Sequence, residues 1–178
     1  MKGKGKIIAG IITLVIGGTV YSVSQEDVID NFSKDTGLSQ QESQRYVEAV
    51  TEDDLVAFDK LGSDFISEGQ ESLSIASDID CVNYYYEWET DTLSCEEGKS
   101  QLTKVGNSEI ALGKAYTILA SESASAEDVS SVIKLIDRLN ADYSLEIVSQ
   151  VIDYSTLDEL KKTNSYNKAL LQAALDSN

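Results

Sequence analysis

The chain has 178 residues, a length typical of one domain with a single hydrophobic core. Its 31 acidic residues outnumber 14 basic ones, so the formal net charge is −17. This balance excludes nucleic-acid binding, which needs a basic surface to neutralise phosphates. The chain also lacks histidine, which excludes catalysis by Ser-His-Asp or Cys-His groups.

The first 24 residues differ from the rest of the chain. Lys2, Lys4 and Lys6 precede an uncharged apolar run, which is followed by small residues around Ser24. This order is typical of a secretory signal peptide, cleaved here after Ser24. An uncleaved membrane anchor fits equally well, because residues 7–23 would form a helix about 25 Å long, near the lower limit for crossing a bilayer.

Both interpretations place residues 25–178 outside the inner membrane, because N-terminal lysines stay on the cytoplasmic side. Those residues include 11 basic and 31 acidic side chains, a net charge of −20. We therefore predict a signal peptide or membrane anchor over residues 1–24 and an acidic extracytoplasmic helical domain over residues 25–178. The protein would be periplasmic or secreted after cleavage, and anchored in the inner membrane without it.

Helix signals recur along the acidic domain. A Ser or Thr three residues before an acidic residue can cap a helix, and such pairs are Ser24–Asp27, Ser39–Glu42, Thr51–Asp54 and Ser125–Asp128. Apolar residues recur at three- and four-residue steps, and the apolar run Ile110–Leu119 predicts a buried helix. Period-two alternation is scarce. The sequence predicts an all-α fold, either a small helical bundle or an array of helical hairpins with one disulfide-closed loop.

One segment resembles a known family. Residues 27–50 are similar to the helix–turn–helix opening of the bacterial histone-like DNA-bending proteins, with Ile29, Phe32, Gly37, Leu38, Ser39 and Val47 at fitting positions. The resemblance implies a basic β-arm after this segment, but the residues that follow here are acidic and have a helical pattern. We therefore predict a capped helical hairpin here and no contact with nucleic acid.

The only two cysteines, Cys81 and Cys95, enclose an unusual loop. An isolated pair in an exported chain predicts a disulfide, which in the chain-entropy model contributes about 3 kcal/mol. The chain has neither a CxxC spacing nor a histidine, so the sequence does not support a thiol catalyst or a zinc site. Asp78, Asp80 and Glu89 match part of a calcium loop, but its central oxygen ligand and glycine are missing. No metal or cofactor is predicted.

The loop concentrates aromatic and acidic side chains. Four adjacent or nearly adjacent rings cannot all face one core, because neighbouring residues point in different directions. Tyrosine and tryptophan are favoured at the centres of protein interfaces. We predict a surface that binds a basic protein partner through Tyr84, Tyr85, Tyr86, Trp88, Glu87 and Glu89. The alternative is that two of the rings only pack the loop onto the bundle.

The leading functional hypothesis is a non-enzymatic helical protein, periplasmic or at the cell surface, that acts by protein–protein contact. One alternative is a periplasmic immunity or inhibitor protein that neutralises a cationic toxin or wall hydrolase. Another is a glycan-acting enzyme that uses Glu87, Glu89 or Asp91 beside Trp88, since paired carboxylates next to aromatic rings can hydrolyse sugars.

Overall fold

The structure is a computed structural model that describes residues 10–50, 55–82 and 93–177. The prediction of a mostly helical fold is confirmed, but the described residues also form a small sheet that was not predicted. The elements in chain order are β1 (Ile11–Ile16), β2 (Thr19–Ser24), α1 (Gln25–Thr36), α2 (Gln40–Val50), β3 (Leu55–Val56), α3 (Phe58–Asp78), α4 (Cys95–Leu119), α5 (Ala126–Asp142), α6 (Glu146–Val151) and α7 (Tyr154–Asp176).

Residues 11–24 form a β-hairpin, and no apolar anchor segment is seen in the described part of the N-terminal region. Gly17 and Gly18 link β1 to β2 with φ values of 59° and 71°. Two positive φ angles are what a tight two-residue hairpin requires, and glycine adopts them without strain. This glycine pair, within the segment predicted to be a signal peptide or anchor, is therefore a hairpin turn. Cleavage after Ser24 stays a prediction.

The hairpin is held by burial of alternate residues. Ile12, Leu14 and Ile16 in β1 are almost fully buried, whereas Ile11 is 65% exposed. Such a period-two pattern fits a strand with one face on the core. No helix in the described ranges is long and apolar enough to cross a membrane.

The sheet has the strand order β2-β1-β3, with β1 antiparallel to β2 and parallel to the short β3. At its turn, the amide of Gly17 donates a hydrogen bond to the carbonyl oxygen of Leu119, 3.1 Å away at the end of α4. Strand β2 also packs against α1 and α7. The hairpin therefore connects the first and last parts of the described chain.

Several predicted helix signals are confirmed. Glu42 and Asp128 each accept hydrogen bonds from the serine three residues earlier, and these pairs cap α2 and α5. Helix α1 ends at Gly37, whose φ of 72° is left-handed. Ser24 precedes α1 but makes no side-chain cap. The predicted pair Thr51–Asp54 lies outside the described residues.

Helices α3 and α4 form a close antiparallel pair. Gly62 and Gly69 on α3 face Gly113 and Gly106 on α4. Within each helix the two glycines are seven residues apart and therefore lie on one face. A Cβ added to Gly69 would lie only 2.6 Å from the carbonyl oxygen of Gly106. The two backbones can approach this closely because neither carries a side chain there.

The predicted disulfide is confirmed. Cys81 and Cys95 are bonded with a Cα–Cα distance of 5.6 Å, and no free cysteine exists in the described chain. The bond joins Cys81, which lies just beyond the end of α3, to the first residue of α4 and so links these two helices at one end of the pair. A disulfide is typical of an oxidising, extracytoplasmic compartment.

Candidate functional site

The predicted partner-binding residues lie outside the described part of the chain. Tyr84, Tyr85, Tyr86, Glu87, Trp88 and Glu89 all fall between residues 83 and 92, as does Asp91 of the glycan-enzyme hypothesis. The structure therefore shows neither their contacts nor their exposure. What it shows is the base of the loop, on which these residues are carried.

The base of the loop is firmly attached to the α3–α4 pair. The Lys99 ammonium donates a hydrogen bond to the carbonyl oxygen of Ile79 at 3.1 Å. Ser94 and Glu97 form a reciprocal cap at the start of α4, and this cap was not predicted from the sequence. Leu93 is 8% exposed and belongs to the core. Together with the disulfide, these contacts fix both ends of the loop.

A second candidate site lies beside the same helix pair, and we call it the acidic groove. It has a volume of about 330 Å³, within the usual range for binding sites. Its apolar lining consists of Ile75, Leu102, Val105, Val148, Val151, Ile152 and Leu160. Its polar lining consists of Glu68, Glu71, Ser72, Glu109, Tyr143 and Thr156. The groove is therefore bordered by α3, α4, α6, α7 and the residue that follows α5.

Glu109 is the buried carboxylate of the groove, with 4% of its surface exposed. Its Oε1 accepts a hydrogen bond from the Tyr143 hydroxyl at 2.9 Å, and its Oε2 accepts one from Ser72 Oγ at 2.8 Å. Burial raises the pKa of Glu109 above its ordinary value, and these two hydrogen bonds only partly offset the shift. The side chain thus links α3, α4 and the end of α5.

Glu68 lies at the rim of the groove and is exposed. Partial desolvation raises its pKa, and the neighbouring Glu109 carboxylate adds to the shift, followed by Asp64 and Glu71. The burial of Tyr143, together with Glu109 and Glu68, raises the pKa of the Tyr143 hydroxyl as well. All three side chains line the same groove, and the Tyr143 hydroxyl donates directly to Glu109.

The charge of the groove is not compensated from within the described chain. Among the described ion pairs, none joins a lysine or arginine to Glu68, Glu71 or Glu109. The neighbouring buried acid, Asp142, is different, because Lys104 pairs with it at 2.8 Å. The groove therefore combines an apolar lining with negative charge only.

Two of the large apolar residues exposed on the described surface lie in this groove. Ile75 is 47% exposed and Val151 is 48% exposed. Apolar side chains at a rim beside carboxylates can contact a partner that is itself apolar and basic. No group of three or more acidic or cysteine residues in the described ranges is arranged to hold a metal ion.

Sequence reasoning missed this site, although one signal was present. Glu109 falls within the apolar pattern of α4, three residues before the buried Leu112 and four after the buried Val105. An acidic residue at a core position is uncommon unless it is paired, so it marks a candidate site. The partners Ser72 and Tyr143 come from distant parts of the chain and have no sequence pattern in common with it.

Comparison with known proteins gives no relative for this chain, since no family model, curated protein or solved structure matches it.

Proposed function

We propose that this is a non-enzymatic, extracytoplasmic protein that acts by contact with a basic protein partner. The observation that carries the proposal is the acidic groove, in which exposed apolar side chains adjoin three carboxylates without a basic counter-charge. Opposite charges on a partner would speed its encounter with this surface, and apolar contacts would hold the complex. The chain's net charge of −17 acts in the same direction.

The hydrogen bonds of Glu109 favour binding over catalysis. Both of its oxygens already accept hydrogen bonds, from Tyr143 and Ser72, and these bonds fix its orientation. A general acid must be free to give its proton to a substrate, whereas a fixed acceptor suits recognition of a positive group. An inhibitor of a cationic toxin or wall hydrolase would be one case of such a contact protein.

The proposed location is the periplasm or the cell surface. The disulfide between Cys81 and Cys95 supports an oxidising compartment, and the lysines before the apolar N-terminal run support export. In this location the loop between the two cysteines would add a second contact surface at the end of the α3–α4 pair.

The test uses the full oxidised chain and a synthetic amphipathic peptide of leucine and lysine, with a leucine–glutamate peptide of opposite charge as the control. Calorimetric titration is expected to show binding of the basic peptide only, weakening as salt is added. Ile75→Ser should lower the affinity at least about fivefold, because a lost apolar contact is worth about 1 kcal/mol.

Ile118→Ser is the matched control. Ile118 is 48% exposed, almost the same as Ile75, but it does not line the groove. Its substitution should leave the affinity unchanged. Equal losses in the two variants, or no binding of the basic peptide at all, would contradict the proposed function.

A further inference from the structure

The acidic groove combines a buried and an exposed carboxylate with apolar side chains. Glu109 is nearly buried, and Leu102 and Val105 of the same helix, α4, also line the groove. Glu68 is exposed and lies on α3, one helical turn before Ser72, whose hydroxyl donates to Glu109. A group that enters the groove therefore meets apolar side chains and both carboxylates.

Two carboxylates at such a site repel each other and are partly shielded from water. The titratable groups that line the groove are Glu68 and Glu71 on α3, Glu109 on α4 and Tyr143 after α5, and Asp64 on α3 also acts on Glu68. The lining residues from α6 and α7 are Val148, Val151, Ile152, Thr156 and Leu160, none of which is charged. A cation placed between Glu68 and Glu109 would remove the repulsion and replace the lost hydration.

The shape of the site distinguishes between the two common basic side chains. Arginine binds a carboxylate best side by side, with two parallel hydrogen bonds to both oxygens. In Glu109 both oxygens already accept bonds from Tyr143 and Ser72, which hinders that approach. Lysine has a compact charge on a flexible four-carbon stem, and this stem can lie along apolar surface while the ammonium group reaches an acid.

We propose, building on the protein contact proposed above, that the basic partner inserts a lysine side chain into the acidic groove, with its ammonium group between the carboxylates of Glu68 and Glu109. Its stem packs on the apolar lining from α4, α6 and α7. Glu68 is the accessible acceptor, because it forms no described hydrogen bond or ion pair within the chain. Glu109, held by Ser72 and Tyr143, is the fixed one.

This arrangement couples lysine binding to proton release. The pKa values of Glu68 and Glu109 are both raised, so each carboxyl holds its proton at a higher pH than an exposed glutamate does. An ammonium group favours the ionised form of both, and protons leave when it binds. Binding should therefore weaken as the pH falls through the mildly acidic range and strengthen towards neutral pH.

The experiment titrates the full oxidised protein with the leucine–lysine peptide, with the same peptide after acetylation of its lysines, and with its leucine–arginine counterpart. We expect the lysine peptide to bind best and the acetylated peptide not to bind. Glu68→Gln should weaken lysine-peptide binding at least about tenfold and should reduce its pH dependence between about pH 5 and about pH 8, leaving the part that comes from Glu109. Glu122→Gln, an exposed acid between α4 and α5 outside the groove, is the control and should leave both unchanged.

Hexylamine is the second probe, because it offers an ammonium group and an apolar stem without a peptide. If hexylamine binds the parent protein but not Glu68→Gln, the lysine site is supported. If the leucine–lysine peptide nevertheless does not bind, only the protein-contact proposal is contradicted. If Ile75→Ser weakens peptide binding but Glu68→Gln acts no more strongly than Glu122→Gln, the lysine site is overturned and the contact function stands. A leucine–arginine peptide that binds more tightly than the lysine peptide also overturns the choice of lysine.

Discussion

Glu109 shows how a buried carboxylate can be held by neutral hydrogen-bond donors from two other parts of the chain. Removing a carboxylate from water is costly unless hydrogen bonds replace its hydration, and Ser72 and Tyr143 supply one bond to each oxygen. The pKa of Glu109 stays raised because these neutral donors do not fully compensate the burial. The residue therefore favours its protonated form more in the folded protein than in the unfolded chain.

The raised pKa gives a prediction about pH and stability. Above the ordinary value of 4.5, the folded protein still binds a proton at Glu109 that the unfolded chain has released, so this group's contribution to the free energy of unfolding falls as the pH rises. Glu109→Gln removes the titration, and a glutamine can accept from Tyr143 and donate to Ser72. We expect the stability of the variant relative to the parent to increase steadily from about pH 4 to about pH 8.

Urea unfolding at several pH values measures this difference. Glu122→Gln is the control, since Glu122 is exposed and no element buries it. A difference between Glu109→Gln and the parent that is the same at all pH values would show that Glu109 does not titrate as inferred.

At the scale of elements, the pairing of α3 with α4 depends on glycine for space. Glycine normally weakens a helix by about 1 kcal/mol relative to alanine. Here a methyl group at Gly69 would lie 2.7 Å from Cγ1 of Ile110 and closer still to the backbone of Gly106. Steric exclusion outweighs helix propensity, because backbone atoms of a packed helix cannot move aside locally.

We therefore expect Gly69→Ala to lower the free energy of unfolding by at least about 1 kcal/mol, the opposite of its effect in an isolated helix. Ser67→Ala is the control, since Ser67 is exposed on the same helix and its substitution should change stability by less than about 0.5 kcal/mol. Chemical denaturation of both variants gives the comparison. A stabilised Gly69→Ala variant would mean that the two helices are less tightly packed than described.

The helices were more predictable than the contacts between them. The pairs Ser39–Glu42 and Ser125–Asp128 are local signals, and both cap helices as expected. The heptad spacing of Gly62 and Gly69 was visible, but its meaning depends on a second helix with glycines at matching positions. The β-hairpin was missed because an apolar run after lysines also fits an export signal, and only the adjacent glycines Gly17 and Gly18 mark a turn within that run.

At the scale of the whole molecule, the N-terminal hairpin is part of the core. Ile12 and Ile11 are adjacent isoleucines with opposite environments, 1% and 65% exposed. Fully burying an isoleucine contributes about 1.5–3 kcal/mol. We expect Ile12→Ser to lower the thermal unfolding temperature strongly and Ile11→Ser to change it little, as measured by circular dichroism. Equal effects would show that β1 does not pack with this face on the helices.

The same burial bears on the predicted cleavage after Ser24. Cleavage there would remove β1 and β2, and with them the buried side chains of Ile12, Leu14, Ile16 and Val23. Their combined contribution of about 6–12 kcal/mol is comparable to the whole stability of a typical domain, about 5–15 kcal/mol. The fold described here therefore includes residues 11–24 in its core, and cleavage after Ser24 would expose the surfaces that they cover.

The candidate site was predictable only in its sign of charge. The excess of acidic residues indicated a basic partner, and the groove offers negative charge without compensation, consistent with that hypothesis. Its location was not predictable, because Glu68, Glu109 and Tyr143 are brought together by packing of α3, α4 and α5. The aromatic loop between Cys81 and Cys95 remains a prediction, since its central residues lie outside the described part of the chain.

The packing of β2 and α1 against α7 sets the order in which the fold can be completed. A ribosome releases the hairpin well before α7, which comes after all the other described elements. The apolar face of the hairpin cannot be covered by α7 until α7 has been synthesised, whereas α3 and α4 are neighbours in sequence and can pair earlier. The hairpin therefore waits longer for its helical partner than α3 does, and during that interval its apolar face is accessible to chaperones or to an export machinery.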